Sequence, residues 1–289
     1  MRSVLWILVL GCAALVAFSF GMSLAPAPST LAGPQADATR ADGTPVRPVL
    51  VELFTSQGCS SCPPADALLQ ILADDPNRRI IPLSFHVDYW NRLGWRDPFS
   101  SAEWSERQRL YNEAMQTGRV YTPQLVIDGR RHCVGSDVKV VYRHLDDAAV
   151  RPVGVDIELG AQPGDGALRV TYRAELRRRD DVSVHSVAST DLLLALAETG
   201  LETPVKSGEN ARRVLKNNFV VRRLLRLDTL GMNKTTLSGS LDLPLQDVEN
   251  AQNVKLVAFA QNRGEGGVLG AVQGVAMWPN ASGPIGSIE

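Results

Sequence analysis

Val49-Leu-Val-Glu-Leu-Phe-Thr-Ser-Gln-Gly-Cys59-Ser-Ser-Cys62-Pro63-Pro64 carries an apolar run straight into a C-x-x-C pair and two prolines. The Val, Leu and Phe of the run predict a buried strand. Beyond the second cysteine, Ala65-Asp-Ala-Leu-Leu-Gln-Ile-Leu-Ala-Asp places apolar side chains at helical spacing. The cysteines therefore stand where a strand gives way to a helix. Free N–H groups and the positive end of the dipole at a helix start favour an anion, so Cys59 is expected to be thiolate-prone, and the thiolate is the form that attacks disulfides. A two-residue spacing lets the sulfurs close a disulfide within the first helical turn.

Upstream, Met1-Arg2-Ser3 leads into an uncharged apolar run from Val4 to Met22, and the next charge is Asp37. Residues 1–24 read as a signal peptide or an uncleaved N-terminal membrane anchor, the run being just long enough to span a bilayer. Arg2 on the near side puts the rest of the chain across the membrane. Pro, Ala, Gly, Ser and Thr dominate residues 25–47, as in a flexible linker. The expected location is periplasmic or secreted, with inner-membrane anchoring through residues 4–22 if the leader is retained.

With 30 basic and 31 acidic residues the formal charge is −1. No bulk field attracts nucleic acid, and membrane contact is expected only through the N-terminal segment. Composition does not set an oligomeric state. Of four cysteines, Cys12 lies in the leader and Cys59, Cys62 and Cys133 in the exported part. That is too few for a disulfide scaffold, and an odd number leaves one thiol over. Cys133 reads as a small buried apolar residue, with exchange against Cys59 as the alternative.

The remaining length suits two domains, 48–150 and 151–289. In the first, Arg79 to Asp88 predicts a buried strand that aims His86 and Asp88 at its C-terminal edge, where ligand crevices form in open α/β sheets. Ser100 to Thr117 predicts a helix, Val120 to Gly135 a hairpin around Asp128-Gly129 with Pro123 opening its first strand, and Asp137 to Ala149 a closing helix. The order β-α-β-α-β-β-α suits a mixed central sheet covered by helices. Tyr89, Trp90, Trp95, Phe99 and Trp104 form either a groove for an extended partner or the packing of an inserted loop.

From Arg151 onward, 153–159, 167–176, 191–197, 235–243, 254–260 and 269–277 alternate or run apolar between turn residues, which predicts a β-sandwich. Arg212, Arg213, Lys216, Arg222, Arg223 and Arg226 are interleaved with Val, Leu and Phe and read as a solvated strand or helix face. No Ser-His-Asp, paired-carboxylate or phosphate-loop pattern stands out there, so this half is expected to present or dock a substrate.

A strand leading into C-x-x-C on a helix, with Thr122-Pro123 opening a later hairpin, resembles the thioredoxin fold. The blocks Val51 to Asp66, Ser84 to Trp90, Leu93 to Pro98, Tyr121 to Pro123 and Val134 to Asp137 are similar to the DUF1223 family of exported bacterial thioredoxin-like proteins. Ser207 to Arg213 and Asn218 to Arg222 are similar to that family's second half. The resemblance implies an α/β thioredoxin-like domain, to which the strand pattern after Arg151 adds a β-sandwich-like C-terminal domain. The DUF1223 resemblance carries no defined reaction. The thioredoxin comparison implies a thiol–disulfide oxidoreductase acting on a protein thiol or disulfide partner, with no cofactor beyond a redox-active Cys59–Cys62 disulfide, and no second C-x-x-C or spaced His pair suggests a resident metal. Within it Cys59 is the nucleophile and Cys62 the resolving thiol. Pro123, preceded by Thr122, is the cis-proline facing the cysteines. Glu52 is a buried carboxylate that relays the proton of Cys62. Ser60-Ser61 departs from thioredoxin's Gly-Pro and leaves the direction of electron flow open. The alternative is a non-catalytic binding module with a structural disulfide, for a protein partner or for copper with His86 as third ligand.

Overall fold

A computed structural model describes residues 47–177, 189–263 and 266–275. The expected leader at 1–24 and all but the last residue of the expected linker lie outside the described residues. Among the described residues no helix is long and apolar enough to cross a membrane.

The first strand, β1 (Val49–Thr55), is buried along its whole length. Its alternating side chains serve two cores: Leu50 and Phe54 face one way, Val49, Val51 and Leu53 the other. β1 pairs in parallel with β2 (Ile80–His86) and antiparallel with β3 (Gln124–Ile127), which forms a hairpin with β4 (Arg131–Val134). At the hairpin tip Asp128 and Gly129 have φ of 48° and 61°, as the tight Asp-Gly turn requires. α1 (Pro63–Ala73) and α3 (Val138–Ala149) cover Val51 and Leu53, while α2 (Ala102–Ala114) lays Trp104 and Tyr111 over Leu50 and Phe54. Ser101 and Asp137 cap α2 and α3 by accepting from the N–H groups of Glu103 and Val140.

The second half contributes β5 (Val155–Pro163), β6 (Ala167–Leu176), β7 (Thr190–Glu198), β8 (Leu201–Pro204), β9 (Val214–Asn217), β10 (Val220–Leu230), β11 (Thr236–Pro244), β12 (Val254–Asn262) and β13 (Val268–Val275). They do not build a separate sandwich. Four of them extend the first sheet into one of eight strands, in the order β13-β12-β7-β10-β2-β1-β3-β4. The joint is a parallel pairing of Val220 with Ser84, whose N–H donates to the Phe219 carbonyl at 2.8 Å. A three-stranded sheet, β11-β6-β5, packs Leu159, Leu168, Val170 and Leu243 against Leu194, Leu196 and Leu256 of the large sheet. β8 and β9 form a two-stranded ribbon.

The expected thioredoxin-like α/β domain followed by a β-sandwich is thereby corrected. The molecule is mostly β, built on one large mixed sheet with α1 and α3 at one end and a small sheet over the other. Phe54, Phe85 and Trp104 from the first half share a core with Ala195, Val221 and Phe259 from the second. The reason lies at β2, which without β10 would offer an unpaired parallel edge. β10 escapes notice in the sequence because Arg222, Arg223 and Arg226 interrupt its apolar pattern. In the fold two of these arginines have partners: Arg222 lies over the Phe99 ring at 5.2 Å and Arg223 pairs with Asp247.

Candidate active site

β1 ends at Thr55, and Ser56-Gln57-Gly58 carries the chain to the cysteines. Cys59 N–H donates to Ser56 O at 3.1 Å and Cys62 N–H to Cys59 O at 3.3 Å, a turn that brings the sulfurs together. Cys59 and Cys62 form a disulfide, with Cα atoms 5.5 Å apart. Cys62 occupies the cap of α1, and Pro63 and Pro64 fill the first turn, where a missing N–H costs least. Both cysteines are 0% exposed. Ser60 and Ser61 between them face solvent.

A strap from the second half of the chain bonds the main chain around Cys59. Between β8 and β9 the chain loops out and is pinched shut by Val205 N–H to Arg213 O (2.9 Å) and Arg212 N–H to Val205 O (2.8 Å). At its tip Asn210, itself 0% exposed, donates from Nδ2 to the carbonyls of Gln57 and Cys59, both at 2.9 Å. Glu209 accepts from the Ser60 N–H at 2.9 Å, and hydrogen bonds from Ser60 hold its carboxyl below the usual range. Gly208, at φ 77°, passes so close to Trp95 that a Cβ would lie 3.0 Å from that residue's Cβ. Only glycine suits both the turn and the contact.

A polar frame fixes the loop that precedes the disulfide. Gln57 donates its N–H to Asp97 Oδ2 (2.8 Å) and its amide to Thr203 and Asn217, and accepts from Trp95 Nε1 (3.0 Å). Trp90 packs on Gly58 and donates from Nε1 to Thr122 Oγ1 at 2.7 Å. The Thr122–Pro123 bond is cis. Pro123 O accepts from Gly135 N–H at 2.9 Å, and a Cβ at Gly135 would lie 2.9 Å from Leu53 and 3.0 Å from Ala65. Through that close approach Thr122-Pro123 stands beside the first turn of α1.

The end of β2 and the loop after it carry a buried titratable pair, with the partly exposed Asp66 of α1 nearby. His86 Nδ1 is 2.7 Å from Asp97 Oδ2. Burial pulls the imidazole down, but Asp97 outweighs it and His86 titrates above its ordinary value. Asp97 would likewise be raised by burial. His86 and the N–H groups of Gln57 and Phe99 reverse that and hold it low. Asp66, one turn along α1 from Cys62, is pushed by burial up to about 6, against the opposing pull of His86 and the Thr55 hydroxyl.

Several expectations are corrected here. Glu52 does not serve the cysteines: it points to the α2 side of β1, where Arg107 Nε bonds its Oε1 at 2.7 Å and Tyr111 OH bonds its Oε2. Asp88 accepts from Ser105 Oγ and anchors α2. Cys133 packs from β4 toward α3, and burial pushes its thiol up to about 11, which makes it a poor exchange partner for Cys59. His86 gives Nδ1 to Asp97 and leaves Nε2 without a hydrogen-bond partner. Nor do the aromatics line an open groove: Phe99 and Trp104 are buried, and Trp90 and Trp95 brace the cysteine loop. Asp66, Asp97, Glu209 and Asn210 escape sequence reading. Asp66 alone had a local signal, its place four residues after Cys62 on one helix face.

The family model described as "Protein of unknown function (DUF1223)" matches residues 50–261, on both sides of the expected boundary near 150. The chain belongs to this family. A crystal structure of a protein from Agrobacterium tumefaciens is similar at 26% identity and a TM-score of 0.59, covering 79% of this chain and 93% of that one. HBP35 of Porphyromonas gingivalis shares the fold at a TM-score of 0.59 and 14% identity, covering 84% of this chain and 80% of its own. No curated protein matches the chain.

Proposed function

We propose that this DUF1223 protein exchanges disulfides with a protein partner outside the cytoplasm, through Cys59 and Cys62. The observation that carries the reading is the C-x-x-C pair closed at the first turn of α1, where a thiolate at Cys59 is favoured by the helix start. The apolar run from Val4 to Met22 behind Arg2 supports export.

In one direction a partner thiolate attacks Cys59 Sγ, the Cys59–Cys62 bond breaks, and Cys62 leaves and is protonated. A second partner thiol then attacks the mixed disulfide and expels Cys59. The partner's two thiols lose two electrons and become a disulfide, and the C-x-x-C pair gains them as two thiols. Run backward, the same steps reduce a partner disulfide.

Both cysteines are buried, so a partner reaches Cys59 through a local opening, and the strap bonded to Gln57, Cys59 and Ser60 is the segment whose release frees that loop. What holds the strap tip on the cysteine loop is hydrogen bonding by Asn210 and Glu209. At about 0.5–1.5 kcal/mol net for each such bond, opening costs on the order of a few kcal/mol, within reach of a binding partner.

A second reading, a static structural staple, is favoured by the complete burial of both cysteines. Trapping separates the two. A Cys62→Ala protein, exposed to an extract of exported proteins, should accumulate mixed disulfides through Cys59 that a Cys59→Ala protein does not form. Absence of any adduct, with Cys59 unreactive toward iodoacetamide after mild reduction, would leave the staple.

A further inference from the structure

The loops beside the cysteines carry more positive charge than they compensate. Ser207 Oγ donates to Gly94 O at 2.5 Å and Gly208 passes against Trp95, so the strap lies along the loop between β2 and α2. The same strap reaches Ser60 through Glu209, and Gln57 and Cys59 through Asn210. Arg92 and Arg96 flank this contact on the loop, Lys206, Arg212 and Arg213 flank it on the strap, and all five are exposed. The nearby carboxylates are committed elsewhere: Glu209 accepts from the Ser60 N–H, Asp97 is buried against His86, and Glu202 faces Lys216 across the ribbon. Among the described residues no carboxylate pairs with any of the five cations; Arg92 donates to Tyr89 O and Arg213 to Asn210 Oδ1. Elsewhere on the surface Arg169, Arg173 and Arg263 are matched with Asp242, Glu175 and Asp191. The chain as a whole has a net charge of −1, so the excess is local. Arg212 also stands at φ 68°, where its N–H closes the pinch on Val205 O. Glycine or asparagine adopts that backbone at less cost, so the guanidinium is held at the turn against local preference.

We propose that this cationic rim receives an acidic stretch beside the partner's cysteine, so that the exchange partner is an acidic polypeptide. The inference rests on the exchange reading above and names its substrate class. Exposed, unpaired cations attract carboxylates over about one screening length, roughly 8 Å at physiological salt. Such attraction speeds encounter and orients the partner more than it adds affinity. The two loops meet beside Ser60, the exposed residue next to Cys59, so carboxylates held on the rim bring a neighbouring sulfur to the buried pair as the loop opens. A protein segment fits the rim better than a membrane or a nucleic acid, because exchange needs a cysteine in the molecule that is bound.

The test uses the full-length protein and acetylated peptides with one cysteine flanked by glutamate, glutamine or lysine. Their disulfide-linked dimers are mixed with reduced protein, and the released peptide thiol is followed by quenched-flow mass spectrometry. Each rate is divided by that of the same dimer with dithiothreitol, which removes the peptide's own reactivity. The acidic peptide should react about tenfold faster than the neutral one at low salt, and the basic one slowest. That lead should vanish at about 1 M salt, where the screening length is about 3 Å. Arg96→Glu combined with Lys206→Glu should invert the ranking, whereas Arg169→Glu on the small sheet should leave it. Equal rates for all the peptides, or a ranking untouched by the double reversal, overturn the acidic partner. Binding is read separately by fluorescence anisotropy on oxidised protein, with serine in place of the peptide cysteine. Co-sedimentation with phosphatidylglycerol vesicles, without binding of the acidic peptide, puts a membrane in the partner's place and overturns the proposal too. No exchange with any peptide overturns the exchange reading; the acidic partner then stands if the acidic peptide alone binds, and falls if it does not.

Discussion

Two carboxylates lie near β1, one fully buried and one partly exposed, and their surroundings are opposite. Beneath α2, Glu52 is 0% exposed and enclosed by partners: Arg107 binds one oxygen, Tyr111 the other. Arg107 in turn rests over the rings of Tyr111 (5.0 Å), Phe85 and Phe259 (both 5.5 Å) and donates to Gln261. At the strand ends, Asp66 is partly exposed, and the nearby His86 is already bonded to Asp97. A fully paired buried charge is fixed and acts as structure; an underpaired one leaves a proton that can move near neutral pH. Burial alone, the property the sequence suggests for Glu52, does not separate the two cases.

The contrast breaks most readily at Arg107. Arg107→Ala strands Glu52 as an uncompensated buried charge and should cost about 3–5 kcal/mol in urea unfolding. A loss below about 1 kcal/mol would mean that Glu52 is not held as described.

Asp66→Asn should act in the opposite sense. Its carboxyl titrates at about 6 when folded against 3.8 as the ordinary value. Because the folded value is raised, the stability this group contributes is fully present below pH 3.8 and is lost as pH rises through about 6. At mildly alkaline pH the wild type therefore carries a penalty, and Asn should stabilise it by about 1–3 kcal/mol, with the gain vanishing toward the acid end. Denaturant titrations at two pH values check this, and a difference that does not change with pH sinks it.

Asn210→Ala removes two hydrogen bonds from the strap. The Cys59–Cys62 disulfide should then be reduced by dithiothreitol about tenfold faster, with a single global unfolding transition retained. An unchanged reduction rate would show that the strap does not limit access. Arg169→Ala, breaking a half-exposed pair with Asp242 on the small sheet far from both carboxylates, should change stability by no more than about 0.5 kcal/mol and serves as the baseline.

Much of the local structure is legible in the sequence. α2 and α3 announce themselves through Ser101 and Asp137, and the β3–β4 hairpin through Asp128-Gly129, because caps and tight turns depend on neighbours a few residues away. Six strands of the second half show as alternating or apolar runs. Which sheet they join does not show: β10 meets β2 through Val220 and Ser84, and its arginines conceal the apolar face that makes the joint. The site divides in the same way. Cys59, Cys62 and Pro123 stand out by spacing and residue type, whereas Glu52, seven residues before Cys59, lies on the wrong face of its strand to reach them.

What the sequence by itself determined is the C-x-x-C at a strand-to-helix junction, the chain's thiol inventory and the elements around it. Each follows from covalent spacing and short-range periodicity. What only the tertiary structure decided is that one sheet unites both halves, that Asn210 bonds the carbonyls of Gln57 and Cys59, and that Glu52 faces α2 and not the cysteines. Those outcomes depend on pairings between residues far apart in the chain, and on which side of a strand or helix a side chain finally meets its neighbours. Local pattern does not encode these.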